Sequence, residues 1–165
     1  MTKIHTISMA YKPKIEPVFN RECHRTLRFT RKIKEGDKLL IHDWAGKPYR
    51  SKWGRRLYVE VVCVRHVIID MICIKTLDRT GDNWFSTPWE DDIAAYMAKE
   101  DGIVAPEGDH RPLGLVWRDI LIGLNKNARN PVDFENGAEG SIIIWDDGRI
   151  CMKENDAGLE ERCKS

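Results

Sequence analysis

The residues best suited to chemistry lie between positions 44 and 56. Lys47, Arg50, Lys52, Arg55 and Arg56 fall within ten residues, and Trp44, Tyr49 and Trp53 are interleaved with them. Phosphates need cations that can approach from a loop or hairpin, and arginine bonds two oxygens at once. Unpaired bases need flat apolar faces, and each aromatic stack contributes ~1–3 kcal/mol. The segment offers both, so it is a candidate surface for RNA or another nucleic acid. The plainer alternative is a solvated charged hairpin whose rings pack on the core.

A second group lies upstream, where Cys23 and His24 precede Arg25-Thr26-Leu27-Arg28. A threonine hydroxyl is a poor nucleophile unless a neighbouring base takes its proton. The positive charges of Arg21, Arg25 and Arg28 would favour a Cys23 thiolate. Consecutive strand residues point to opposite faces, however, so His24 partners Cys23 only at a turn. Free cysteines more commonly serve as small apolar residues, the reading taken for Cys63 and Cys73. His5, His24, His42, His66 and His110 are scattered without metal-ligand spacing, so no metal site is expected. Asp91 and Asp92 read as the first turn of a helix rather than as magnesium ligands.

The elements that must position these groups fit one domain. The 165 residues suffice for a single core. The net charge of +1 hides an asymmetry: residues 1–66 carry 16 Lys/Arg against 6 Asp/Glu, whereas residues 67–165 carry 11 against 20. A strongly basic half attracts nucleic acid even in a near-neutral molecule, unless the two halves neutralise each other. No apolar run approaches the about 20 residues that cross a bilayer, so no membrane partner is expected. The N-terminus has no signal-peptide pattern, and five widely spaced cysteines suggest no disulfide framework, so a cytoplasmic location is expected.

Along the chain, weak alternation predicts a strand over 4–11 with Ile7, Met9 and Tyr11 inward, ended by Pro13. A short helix over 14–20 would hold Pro17 in its first turn. Strands follow over 25–29, 38–44, 57–64 and 66–76, the last with a bend near Asp70. Gly36 and Asp37 mark a turn. Ser86-Thr87-Pro88-Trp89-Glu90 reads as a helix start, with Ile93, Ala94, Met97 and Ala98 on one face and Gly102 as the stop. The apolar stripe from Leu113 to Leu124 reads as core rather than as a cofactor site, and no cofactor is expected. A buried strand over 141–145, an Asp147-Gly148 hairpin and a return strand over 149–152 close the domain. Residues 153–165 read as a polar tail or frayed helix. The expected fold is α+β, one domain over 1–152, with a partly closed antiparallel β-barrel and flanking helices.

Several of these signals, in order, resemble the ASCH family, a branch of the PUA-like fold. They are Thr26-x-Arg28 on a strand after a short helix and Lys32-Ile33-Lys34-x-Gly36-Asp37 leading into Leu39-Leu40-Ile41. A helix follows that carries Ile93-Ala94 and ends in Glu100-Asp101-Gly102-Ile103, and then a late strand from Ile142 to Trp145. The resemblance covers about residues 5–150. It implies a small β-barrel with a cleft beside the Thr-x-Arg strand and the Gly-Asp turn, receiving RNA or a nucleoside, with Arg28 as an anion contact. Some members are acetylcytidine amidohydrolases and some are described as nucleases. The resemblance carries a catalytic role to Thr26 and, for the family glutamate, to Asp101, or to Glu100 if the register slips by one. The family's lysine position is Cys23 here. RNA binding is therefore the first expectation. An amidohydrolase or ribonuclease acting in the same cleft is the second, and a module docking an acidic protein is the third.

Overall fold

The computed structural model describes residues 3–145 except 31, 49, 79, 127 and 129, and also the backbone of 146, 151–155 and 158–162. Its strands are β1 (Ile4–Ser8), β2 (Arg25–Arg28), β3 (Lys38–Trp44), β4 (Trp53–Ile69), β5 (Cys73–Leu77), β6 (Trp84–Pro88) and β7 (Ala138–Asp146). Its helices are α1 (Lys12–Phe19), α2 (Asp92–Glu100) and α3 (Leu113–Lys126). The fold is α+β, as expected. The seven strands form one sheet ordered β1-β3-β4-β5-β6, with β7 pairing both β2 and β4. The sheet is mixed and not closed into a barrel. β1 runs parallel to β3, whereas β3, β4, β5 and β6 are successively antiparallel. The departure from an all-antiparallel arrangement has a local cause: the chain leaves β1 through α1 before it reaches β3, and a helical crossover of this kind is how parallel neighbours are joined.

The chain divides into two compact units, with β4 and β7 each running through both. The first comprises residues 1–24, 33–64 and 144–165. Its core holds Ile7 and Met9, as expected, with Val18, Leu39, Ile41, Val59 and Val61. The turn before β3 uses Gly36 at φ +80°, where a side chain would be strained. Asp37 then clamps the N-terminus. It accepts from the Lys3 N–H at 3.1 Å, His5 Nε2 at 2.8 Å and the Lys34 N–H at 3.1 Å. Those bonds, Lys3's first, hold its carboxyl down at about 2.

The second unit comprises residues 25–32 and 65–143. Leu27, Val67, Ile69, Ile74, Ile142 and Ile143 of the sheet are buried, as are Ala94, Ala98, Val116, Trp117 and Leu121 of the helices. Trp89 meets Trp117 edge-to-face at 5.9 Å and donates its indole N–H to the Asp70 carbonyl at 2.9 Å. A Cβ at Gly114 would collide with the Trp89 carbonyl, so α3 approaches this turn closely.

Several boundaries differ from the sequence reading. β1 ends at Ser8 rather than running to Tyr11, and Pro13 stands in the first turn of α1, whose interior holds Pro17. The strands read as 57–64 and 66–76 are instead one long β4 and a separate β5. Between them Asp70 Oδ1 accepts from the Ile72 and Cys73 N–H groups at 2.8 and 2.7 Å. The proposed helix start at Ser86-Thr87-Pro88 is strand: Thr87 and Ser86 pair with Ile74 and Lys75. The helix begins later, with Asp91 as the cap accepting from the Ile93 N–H at 2.8 Å. Sheet pairing satisfies more backbone groups than one capping box, and the shift leaves Ile93 exposed while Ala94 and Ala98 face inward. Asp147 and Gly148 lie outside the described residues. Cys151–Asn155 pairs antiparallel with Gly158–Arg162, in the stretch read as a return strand and tail.

Candidate nucleic-acid interface

The strongest cluster of chemistry on the first unit is the tip of the β3–β4 hairpin. Leu39, Leu40 and Ile41 pair regularly with Val59, Tyr58 and Leu57, and His42 with Arg56. The register then shifts before Trp44 pairs with Trp53. A bulge re-aims side chains. Here it accompanies an inward Asp43, which is only 7% exposed. Loop 45–52 is closed by its own chain: Gly46 N–H donates to Ser51 Oγ at 3.0 Å, and Ser51 Oγ donates to the Lys47 carbonyl at 3.0 Å. Ala45 N–H and the Lys52 carbonyl complete the closure at 3.1 Å.

The five cations of this segment meet different fates. Arg55 is a brace. Its Nε donates to Asp43 Oδ2 at 2.9 Å, and its backbone N–H donates to Asp43 Oδ1 at 2.6 Å. Its two terminal nitrogens fork onto the Glu16 carboxylate of α1 at 3.1 and 2.8 Å. The guanidinium also lies over the Phe19 ring at 4.6 Å. Glu16, then Asp43, drive the Arg55 pKa further up, and Arg55 in turn lowers that of Glu16. A Cβ at Gly54 would strike Asp43 Oδ1, so glycine there is what lets the carboxylate reach Arg55. Lys47, Arg50 and Lys52 are exposed, and none has a carboxylate partner among the described residues. Arg56 is exposed and sits with its guanidinium 5.3 Å from the Trp53 ring centre.

The rings are also sorted. Trp53 is 40% exposed. It stacks on His42 at 4.2 Å with 17° between the planes, and His42 meets Trp44 edge-on at 5.0 Å. His42 is buried and bonds through Nδ1 to the Asp43 carbonyl at 3.1 Å. Sequence reasoning passed over His42 because it looked only for metal spacing. Its place two residues before Trp44 was the available signal. Tyr49 lies outside the described residues.

Thr26, Arg28 and Asp101 belong to the second unit. Thr26 is 3% exposed. Arg28 is half-buried at the end of β2. Arg25 of the same strand donates to the Met97 carbonyl of α2 at 2.7 Å, which ties β2 to the last turn of that helix. Asp101 is the buried residue that caps this turn. The strand of Thr26 and the helix end of Asp101 therefore adjoin through Arg25. Cys23, in the first unit, is buried in the turn after α1, its N–H bonded to the Pro17 carbonyl at 3.0 Å.

His66 falls inside β4 rather than at a strand end, 3.4 Å from Ser141 Oγ. That serine donates to the Thr30 carbonyl at 2.8 Å, so it can only accept from the imidazole. The pair has the wrong polarity for a nucleophile and its base. No helix among the described residues is long and apolar enough to cross a membrane. No family model, curated protein or solved structure matches the chain.

Proposed function

We propose that this chain binds RNA through the tip of the β3–β4 hairpin. The observation that carries the reading is the set of exposed cations Lys47, Arg50 and Lys52 without carboxylate partners among the described residues, on a loop stiffened by Ser51 and by the Arg55 brace. Unneutralised cations on a preformed loop are what a phosphate backbone recognises, because little ordering cost is left at binding. The order of Thr26-x-Arg28, Gly36-Asp37 and Glu100-Asp101-Gly102 supports an ASCH-type reading, with a PUA-like, barrel-related arrangement of the sheet. Arg55 serves here as scaffold.

The test is filter binding of labelled RNA across a salt series. Retention at low salt with a steep loss is expected, log affinity falling with log salt by about 0.7 per phosphate contact. No retention at low salt overturns the reading. An acidic protein that competes as well as RNA would favour a protein-docking role.

A second reading is a hydrolase for a modified nucleoside, and the specific observation behind it is the buried Thr26 on a strand that adjoins the Asp101 cap. Incubation with acetylcytidine followed by chromatography tests it. Unchanged substrate at high protein concentration removes it.

A further inference from the structure

We infer that Trp53 is a stacking platform for an unpaired base, so that the hairpin selects single-stranded nucleic acid over duplex. The inference rests on the reading of the hairpin as a nucleic-acid surface and specifies what that surface takes. An indole has two faces. One face of Trp53 is covered by His42, nearly coplanar at 4.2 Å, yet the residue keeps 40% of its surface open. Trp89, Trp117 and Trp145 of this chain are buried, whereas Trp53, like Trp84, keeps part of its ring in solvent.

The support beneath the ring is rigid. His42 is 3% exposed, bonded to the Asp43 carbonyl and wedged against the edge of Trp44. Asp43 is itself held by both the backbone and the side chain of Arg55. A platform that does not reorganise loses little entropy when a base lands on it. The neighbour of the ring, by contrast, is an exposed arginine: the Arg56 guanidinium lies over the ring, 5.3 Å from its centre, and a base that stacks there would displace it towards a phosphate. Lys47, Arg50 and Lys52 lie within six residues of the platform and provide the phosphate contacts on either side. In a duplex the faces of the bases are already stacked on one another, so only the cations would find partners there. A single strand engages both the cations and the ring.

Titrations at one salt concentration decide the matter. The probes are a ten-nucleotide single-stranded RNA, the DNA of the same sequence, an RNA duplex of the same length and heparin. The wild type is expected to bind the single strand about tenfold or more tighter than the duplex, with quenching of tryptophan emission. Trp53→Ala is expected to weaken single-strand binding by about 5- to 100-fold while changing heparin and duplex binding by less than about twofold. Trp53→Phe should keep most of the single-strand preference, which guards against loss through misfolding. His42 is a positioning residue: His42→Ala should lower the preference and His42→Phe, which keeps a flat ring beneath the indole, should restore it. The RNA and DNA arms show which polymer supplies the base, and preference over duplex in either one supports the inference. Equal affinity for single strand and duplex, or a Trp53→Ala variant that weakens every probe alike, overturns the platform and leaves the cationic reading standing. Failure of the wild type to bind any of the four probes at low salt overturns both.

Discussion

The hairpin tip of the first unit and the β2–α2 junction of the second both carry residues that chemistry can use, and they treat charge in opposite ways. At the hairpin, Lys47, Arg50, Lys52 and Arg56 are in solvent, and one arginine, Arg55, is used up in holding the others' loop in place. At the junction the polar groups go inward: Arg25 reaches a helix carbonyl, while Thr26 and Asp101 are buried. An exposed cation keeps its hydration and waits for a polyanion. A buried polar group has already lost its water, so it must be bonded or be of use to a small substrate. The contrast separates a region that presents its charge to solvent from one that withdraws its polar groups from it.

Breaking the cationic side of this contrast should have the largest effect. A triple variant, Lys47→Glu, Arg50→Glu and Lys52→Glu, is expected to cost about 100-fold or more in RNA affinity at low salt, and to flatten the salt dependence by about 0.7 per lost contact. Fluorescence anisotropy at several salt concentrations measures both, and circular dichroism should show the fold unchanged.

Next in size is the brace. Asp43→Ala removes the acceptor of the Arg55 backbone and Nε donors, and should destabilise by about 1–3 kcal/mol in urea titration, since bonds to charged groups are among the stronger ones. Half of the Arg55 side chain is in solvent, which keeps the cost below that of a fully buried pair. Glu16→Ala, at the exposed end of the same fork, should shift the midpoint less than Asp43→Ala does. RNA affinity should fall in Asp43→Ala although no phosphate contact has been removed.

The clamp at Asp37 sharpens the comparison through pH. Its carboxyl titrates near 2 in the folded chain against an ordinary 3.8. A depressed value means that the unfolded state binds the proton first. The stabilisation is therefore fully present above about pH 4 and is lost as pH falls through about 2. Wild type and Asp37→Asn, compared by urea unfolding, should differ at pH 6 and converge near pH 2.

The smallest effect is expected at Thr26. The residue is only 3% exposed, and the near-isosteric Thr26→Val, which exchanges a hydroxyl for a methyl, should change stability by no more than about 1 kcal/mol. A larger loss would show that the hydroxyl makes a strong buried hydrogen bond. RNA binding at the hairpin should be unaffected, and any acetylcytidine turnover should disappear.

Much of this was legible along the chain. The β4 strand announces itself by its β-branched residues and β3 by the apolar run Leu39-Leu40-Ile41, and Gly36 and Gly102 by the positive φ that their turns demand. The cationic, aromatic segment is visible as composition alone. The start of α2 was misplaced because Ser86-Thr87-Pro88 satisfies the rules of a helix cap locally, while its partners, Ile74 and Lys75, are brought to it only by the β5–β6 hairpin. The parallel placement of β1 beside β3 was likewise invisible, since pairing direction depends on the route of the connection and not on the strand's own residues.

By itself, the sequence determined where charge and rings are concentrated, because those are properties of side chains wherever they end up. It also determined which short runs are extended or helical, because steric preference and apolar spacing act over a few residues. Only the tertiary structure decided which cations are available. Arg55 and Arg56 are neighbours of the same type, yet one is gripped by a carboxylate 39 positions away and the other faces solvent beside Trp53. The physical reason is that a charge is neutralised by what lies within a few ångströms in space, and folding chooses those neighbours from distant parts of the chain.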